Sequence, residues 1–215
     1  MTQLPPPTPS DQYASIENGP EVETKVKGSR FLGQVFRAPD AESAGLALAA
    51  IRKQYYDATH HCSAFRVGAP ESAEERSDDD GEPSGTAGVP ILGAIRREDL
   101  FDVFVVVTRY FGGTKLGTGG LVRAYGDSAR EALAATPRRT VWRESTLEIG
   151  TTYEDVGAVE AVLAREGRHL RNVEREFLDQ VRFRVTLLRS QVSSLEAILT
   201  EATAGRAAVQ DSPQG

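Results

Sequence analysis

Apolar and polar positions along this chain change period several times, and each change marks an element. Val22, Thr24 and Val26 alternate with charged residues as a half-buried strand does, and Phe31, Gly33 and Val35 carry a second strand to Arg37. Gly28-Ser29 between them suits a two-residue hairpin turn with glycine at its first central position. Asp40 is a helix cap, and Leu48, Ile51 and Tyr55 recur at helical spacing behind it, predicting a helix to about Tyr56. Cys62, Ala64 and residues 65–67 predict a third strand, followed by a polar loop over 69–82. Ser84 or Thr86 can cap the next helix, with Pro90 in its first turn, where a missing N–H costs little. Val103 to Val107 is an unbroken apolar run, the pattern of a central strand covered on both faces. A glycine-rich loop from Gly112 to Gly120 follows, then a helix with Leu121, Tyr125, Ala129 and Leu133 on one side.

The pattern restarts after Pro137-Arg138-Arg139, the expected domain boundary. Leu147, Ile149 and Thr151 alternate as a strand, and Val156, Val159 and Leu163 recur on a helix ended by Gly167. Leu170 to Phe177 and Val181 to Leu187 pair as a hairpin. Ser190 caps a last helix carrying Leu195, Ile198 and Leu199, which Gly205 stops. The order βαββα, with a short strand at 207–209, is that of a ferredoxin-like domain. The chain is therefore read as α+β. An extended, poorly ordered arm over 1–20 contains Pro5-Pro6-Pro7 and Pro9, a first domain covers 21–137, and a smaller one covers 139–210.

Composition narrows the function. The 215 residues suffice for two cores of roughly a hundred residues each. The net charge of -6 opposes generic polyanion binding, so an anionic partner must find a local basic patch. Cys62 is the one cysteine, which rules out a disulfide within the chain and suits a reducing, cytoplasmic compartment. Residues 1–20 lack the basic and apolar regions of a signal peptide, and no apolar run nears the roughly 18 residues that span a bilayer; neither export nor membrane insertion is expected.

Four features carry candidate chemistry. Arg109-Tyr110-Phe111-Gly112-Gly113-Thr114-Lys115-Leu116-Gly117-Thr118-Gly119-Gly120 joins the central strand to a helix N-terminus. The free N–H groups of a helix start favour an anion, and Arg109, Lys115 and Arg123 would add full charges. The spacing is neither a Walker loop nor a dinucleotide fingerprint. It is read as contacting RNA, a nucleotide or a phosphorylated partner, or else as a tight turn with close packing. The second feature, Asp79-Asp80-Gly81-Glu82-Pro83, has carboxylates that could hold a hard cation or serve as acid and base, or cap the following helix. In the third, His60-His61-Cys62, His60 and Cys62 share a strand face. Two ligands are too few for a structural zinc, so Cys62 is a buried small residue or a nucleophile with His60 as base. The fourth is the set Arg165, Arg168, Arg171, Arg175, Arg182, Arg184 and Arg189. Ten basic and twelve acidic residues from Arg139 onward make it a solvated, cross-strand-paired face. No catalytic set, resident metal or cofactor is assigned.

Residues Lys27 to Leu133 resemble the IMPACT/YigZ family. The resemblance rests on Lys27-Gly28-Ser29-Arg30-Phe31, on Ala58-Thr59-His60-His61-Cys62-Ser63-Ala64, and on Asp79-Asp80-Gly81-Glu82-Pro83 with Thr86-Ala87-Gly88. It also rests on Val106-Val107-Thr108-Arg109-Tyr110-Phe111-Gly112-Gly113 with Leu116-Gly117 and Gly119-Gly120-Leu121. The resemblance implies an N-terminal domain of the ribosomal-protein-like fold of elongation factor G domain IV and a ferredoxin-like C-terminal domain like its domain V. By analogy it implies contact with RNA, the ribosome or another part of the translation machinery. Eukaryotic relatives regulate translation by competing for the activator of the starvation-responsive initiation-factor kinase. They use an extra N-terminal domain not seen in this sequence, so that mechanism is not expected of it. The leading expectation is a translation-linked binding protein. The rivals are a phosphate- or metal-using enzyme, a phosphotransferase or hydrolase, and a protein-docking module anchored by Tyr110 and Phe111.

Overall fold

The computed structural model describes residues 3–212. The chain divides into two compact units, one formed by residues 13–141 and the other by 1–12 together with 142–215. In the first unit the strands are β1 (Gln12–Ile16), β2 (Val22–Val26), β3 (Ser29–Arg37), β4 (His60–Val67), β5 (Glu74–Asp78), β6 (Val103–Tyr110) and β7 (Arg138–Trp142). Its helices are α1 (Ala41–Gln54), α2 (Gly88–Arg97) and α3 (Thr118–Ala134). Five strands form one sheet in the order β2-β3-β6-β4-β5, and every neighbouring pair is antiparallel.

β6 lies at the centre, as its unbroken apolar run predicts. Val103, Val105 and Val107 pack with Ile91 and Ile95 of α2 and Leu121, Tyr125 and Ala129 of α3. The alternate residues Phe104 and Val106 pack on the other face with Ala44 and Ile51 of α1. Successive side chains of a strand point to opposite faces, so helices on both sides leave β6 no polar position until Thr108.

The second unit comprises β8 (Glu144–Thr151), α4 (Val156–Glu166), β9 (Leu170–Phe177), β10 (Val181–Leu188), α5 (Val192–Ala202) and β11 (Ala208–Ser212). Its sheet runs β11-β8-β10-β9, antiparallel throughout. The βαββαβ order with this strand arrangement is ferredoxin-like. Leu147, Ile149, Phe183 and Val185 meet Val159, Leu163, Leu195 and Leu199 of the two helices. The opposite face is charged: Arg184 reaches Glu148 at 2.9 Å and Glu174 at 3.4 Å.

Several expectations need correction. The supposed arm is bound into the fold over its described part. Leu4 is buried in the second core, and its N–H donates to Glu166 Oε2 at 3.1 Å. Asp11 is buried and accepts hydrogen bonds from the backbone and hydroxyl of Ser190 at 3.0 and 2.7 Å. Burial alone would raise the Asp11 pKa, but these bonds and those from Thr8 hold it below the ordinary value. Ser190 therefore braces Asp11, and the residue at the α5 cap is Gln191, whose side chain does not cap the helix. β1 pairs with β7, so the two units divide at the ends of that ribbon, near residues 12 and 141, and not at Pro137. Part of the expected 69–82 loop is the edge strand β5, a polar strand whose residues are mostly exposed. In the β2–β3 turn, Val26 pairs with Ser29. The loop residues are thus Lys27 and Gly28, both with positive φ, a type I′ turn with glycine second.

Candidate functional site

Two carboxylates three residues apart have different tasks. Asp79 Oδ1 accepts from the backbone N–H of Ala87 at 2.9 Å and of Gly88 at 2.8 Å, and Oδ2 accepts from Gly85 at 2.7 Å. It therefore caps α2 from nine residues upstream, in the role expected of Ser84 or Thr86; Thr86 Oγ1 donates instead to the Pro83 carbonyl at 2.6 Å. Burial would raise the Asp79 pKa, yet the three backbone donors outweigh it and hold the carboxyl below its usual value. Asp80 and Gly81 both take positive φ, and Glu82 N–H closes the turn on the Asp79 carbonyl at 2.9 Å. Asp80 accepts from the His61 backbone at 2.6 Å and from Arg52 at 2.7 Å.

That turn delivers Glu82 inward, its side chain 4% exposed. Glu82 Oε1 takes Arg109 Nη1 at 2.5 Å and the Tyr125 hydroxyl at 2.7 Å. Arg109 Nη2 reaches Ser29 Oγ at 3.3 Å, while its buried Nε has no partner among the described residues. The guanidinium lies 5.4 Å from the Phe31 ring and 5.6 Å from that of Phe111. His60 Nε2 stands 3.8 Å from Glu82 Oε1, with its Nδ1 2.7 Å from the Asp80 carbonyl.

Cys62 is fully buried and directs its thiol at the Asp79 carbonyl, 3.0 Å away. Burial pushes its pKa well up, so the thiolate that nucleophilic chemistry needs is disfavoured. Burial likewise raises the Tyr125 hydroxyl. Among the described residues no group of three or more His, Cys, Asp or Glu could hold a metal ion.

The glycine loop and the Asp79–Pro83 turn face each other across a cleft of about 360 Å³, lined by Glu82, Arg109, Phe111, Lys115, Thr118 and Leu121 among others. Gly117 precedes α3 with φ 71° and, as a glycine, brings no side chain to cap the helix start. Lys115 is exposed and makes no ion pair among the described residues. Phe111 is 48% exposed at the rim. Gly112 serves packing: a Cβ there would fall 1.9 Å from the Gly28 carbonyl carbon. Gly113, Gly117 and Gly119 have open space where a side chain would stand, and at Gly120 it would meet Leu116 at 3.1 Å.

The structure thus brings Lys115, Thr118, Glu82 and Arg109 to one cleft and separates other residues grouped with them by sequence. Arg109 is committed to Glu82, which removes its charge from any guest. Arg123 lines a different groove, between α2 and α3. Tyr110 donates to Asp57 at 2.9 Å and carries Arg30 5.4 Å from its ring, away from the residues lining the cleft. Tyr125 and Ser29 were missed as site residues. A tyrosine hydroxyl within α3's buried stripe demands a partner, and that demand was the available signal.

Residues 27–133 match the family model described as the Impact N-terminal domain. A Bacillus subtilis protein, IMPACT family member YvyE, is 35% identical over 93% of this chain and 90% of its own length. The Escherichia coli IMPACT family member YigZ is 35% identical over 84% of this chain and 88% of its own. A solved structure described as a hypothetical protein covers 93% of this chain and 96% of its own at 28% identity, with a TM-score of 0.69.

Proposed function

The chain belongs to the IMPACT family, and on that premise we propose that it is a translation-linked binding protein that takes a phosphate of RNA at the loop between β6 and α3. The observation that carries this reading is the start of α3: its cap residue, Gly117, has no side chain to offer, and Lys115 stands beside it without an ion pair among the described residues. Exposed N–H groups at a helix N-terminus and a neighbouring ammonium together favour a negative guest. The half-exposed ring of Phe111 on the same cleft offers a face on which a base can stack. The link to translation comes from the family resemblance and the ferredoxin-like second unit, by analogy.

Chemistry at the cleft is the weaker reading. The Cys62 thiol and the Tyr125 hydroxyl are both held in their protonated forms by burial, and Glu82 is occupied by Arg109 and Tyr125. Protein docking is the second reading, favoured only by the exposure of Phe111.

Co-sedimentation with ribosomes over a salt series tests the proposal. Association should fall steeply as salt rises, because each phosphate contact releases counterions, and Lys115→Glu should weaken it about tenfold. Pelleting unchanged by Lys115→Glu refutes the site. Pelleting lost on Phe111→Ala but kept by Lys115→Glu selects the protein-docking reading.

A further inference from the structure

We propose that single-stranded RNA does not end at the first turn of α3 but runs on along the groove between α2 and α3. This deepens the reading above and rests on RNA being the guest. The groove holds about 280 Å³, near the lower end of ligand-sized concavities, roughly 300 Å³. Its floor is open at its glycines: a Cβ on Gly93 would meet nothing within 4 Å, and one on Gly126 would meet Pro90 at an ordinary 3.7 Å.

Three arginines rim this groove: Arg97 from the last turn of α2, and Arg123 and Arg130 from α3. Arg123 and Arg130 are two helical turns apart, so they rise from one side of α3 about 10 Å apart along its axis. Arg123 lies about 7.5 Å along the axis from Thr118, where the loop site begins. The one carboxylate among the lining residues, Asp127, pairs with Arg130. Arg97 and Arg123 are exposed and in no ion pair among the described residues. In a chain of net charge -6, two uncompensated guanidinium groups lining one groove make a local track for phosphates. Val122, 42% exposed, adds an apolar surface for the sugar or base. Backbone tracking of this kind carries no sequence preference.

Fluorescence anisotropy of the full chain with a labelled oligouridine, read as log K against log salt, tests the track. On a single strand, each phosphate that the protein ceases to neutralise lowers the slope by about 0.7. Arg97→Glu and Arg123→Glu should each lower it by that amount and weaken binding equally for any base sequence. Weaker binding with Lys115→Glu but not with the two arginine variants overturns the track and leaves the loop site standing. Weaker binding with the arginine variants alone supports the track and refutes the loop. Wild-type protein that binds no oligouridine, that prefers duplex to strand, or that yields equally to polyglutamate overturns the track; the last result points to an acidic protein instead.

Discussion

The molecule has two arginine-rich regions, and they differ in what the arginines face. On the open face of the second sheet, Arg184 lies across the strands from Glu148 and Glu174. Arg171 is held by Glu144 at 3.4 Å, while Arg175, opposite the core residue Phe183 on the helix side, is held by Glu160 of α4 at 2.7 Å. Cross-strand partners of opposite sign compensate the charge where it stands. Beside α3 the register supplies no such partners, and Lys115, Arg97 and Arg123 stay unpaired among the described residues. Arginines unpaired among the described residues also occur on the second unit, Arg182 for one, so the contrast lies in Arg97 and Arg123 lining one groove.

Burial sharpens the contrast, and the largest expected effect lies there. Glu82→Ala leaves Arg109 buried without its counter-charge and Tyr125 without its acceptor. Breaking one side of a buried pair costs about 3–5 kcal/mol, so urea denaturation should show a destabilisation of that size. Gly112→Ala forces a Cβ into the Gly28 backbone and should cost about 1–3 kcal/mol. Gly119→Ala meets open space and should leave the midpoint unchanged or raise it.

Asp79→Ala removes the cap of α2 and should cost about 1–2 kcal/mol at neutral pH. The folded Asp79 carboxyl is depressed, so its contribution is complete above the unfolded value of about 3.9 and drains away as pH falls through the lower folded value. Acid unfolding of Asp79→Ala should accordingly be shallower than that of the wild type. Arg184→Ala, at an exposed pair on the sheet face, should leave the denaturation midpoint where it is; a clear drop there would break the comparison.

What the sequence made legible follows period and burial. The β6 run, the stripe Leu121, Tyr125, Ala129, Leu133 and the βαββα order of the second unit were readable because each repeats a simple spacing over a buried face. β5 and β1 were not: β5 is a short polar edge strand, and β1 lies beyond a proline run that reads as loose chain. The loop was readable as a helix start, but the capture of Arg109 by Glu82 was not. Those residues are 27 apart in sequence, and only the β4–β6 register with the Asp79–Glu82 turn brings them together. The cap of α2 escaped for a similar reason, since Asp79 reaches over a turn to serve it while Ser84 and Thr86 lie nearer.

The most direct test of the central claim is an amide NMR titration of the whole chain with oligouridine. Thr118, Gly119 and Gly120 should shift first and by the most, while the amides of residues 182–184 stay still. Shifts confined to the second sheet, or none at Thr118 to Gly120 at saturating RNA, would contradict it.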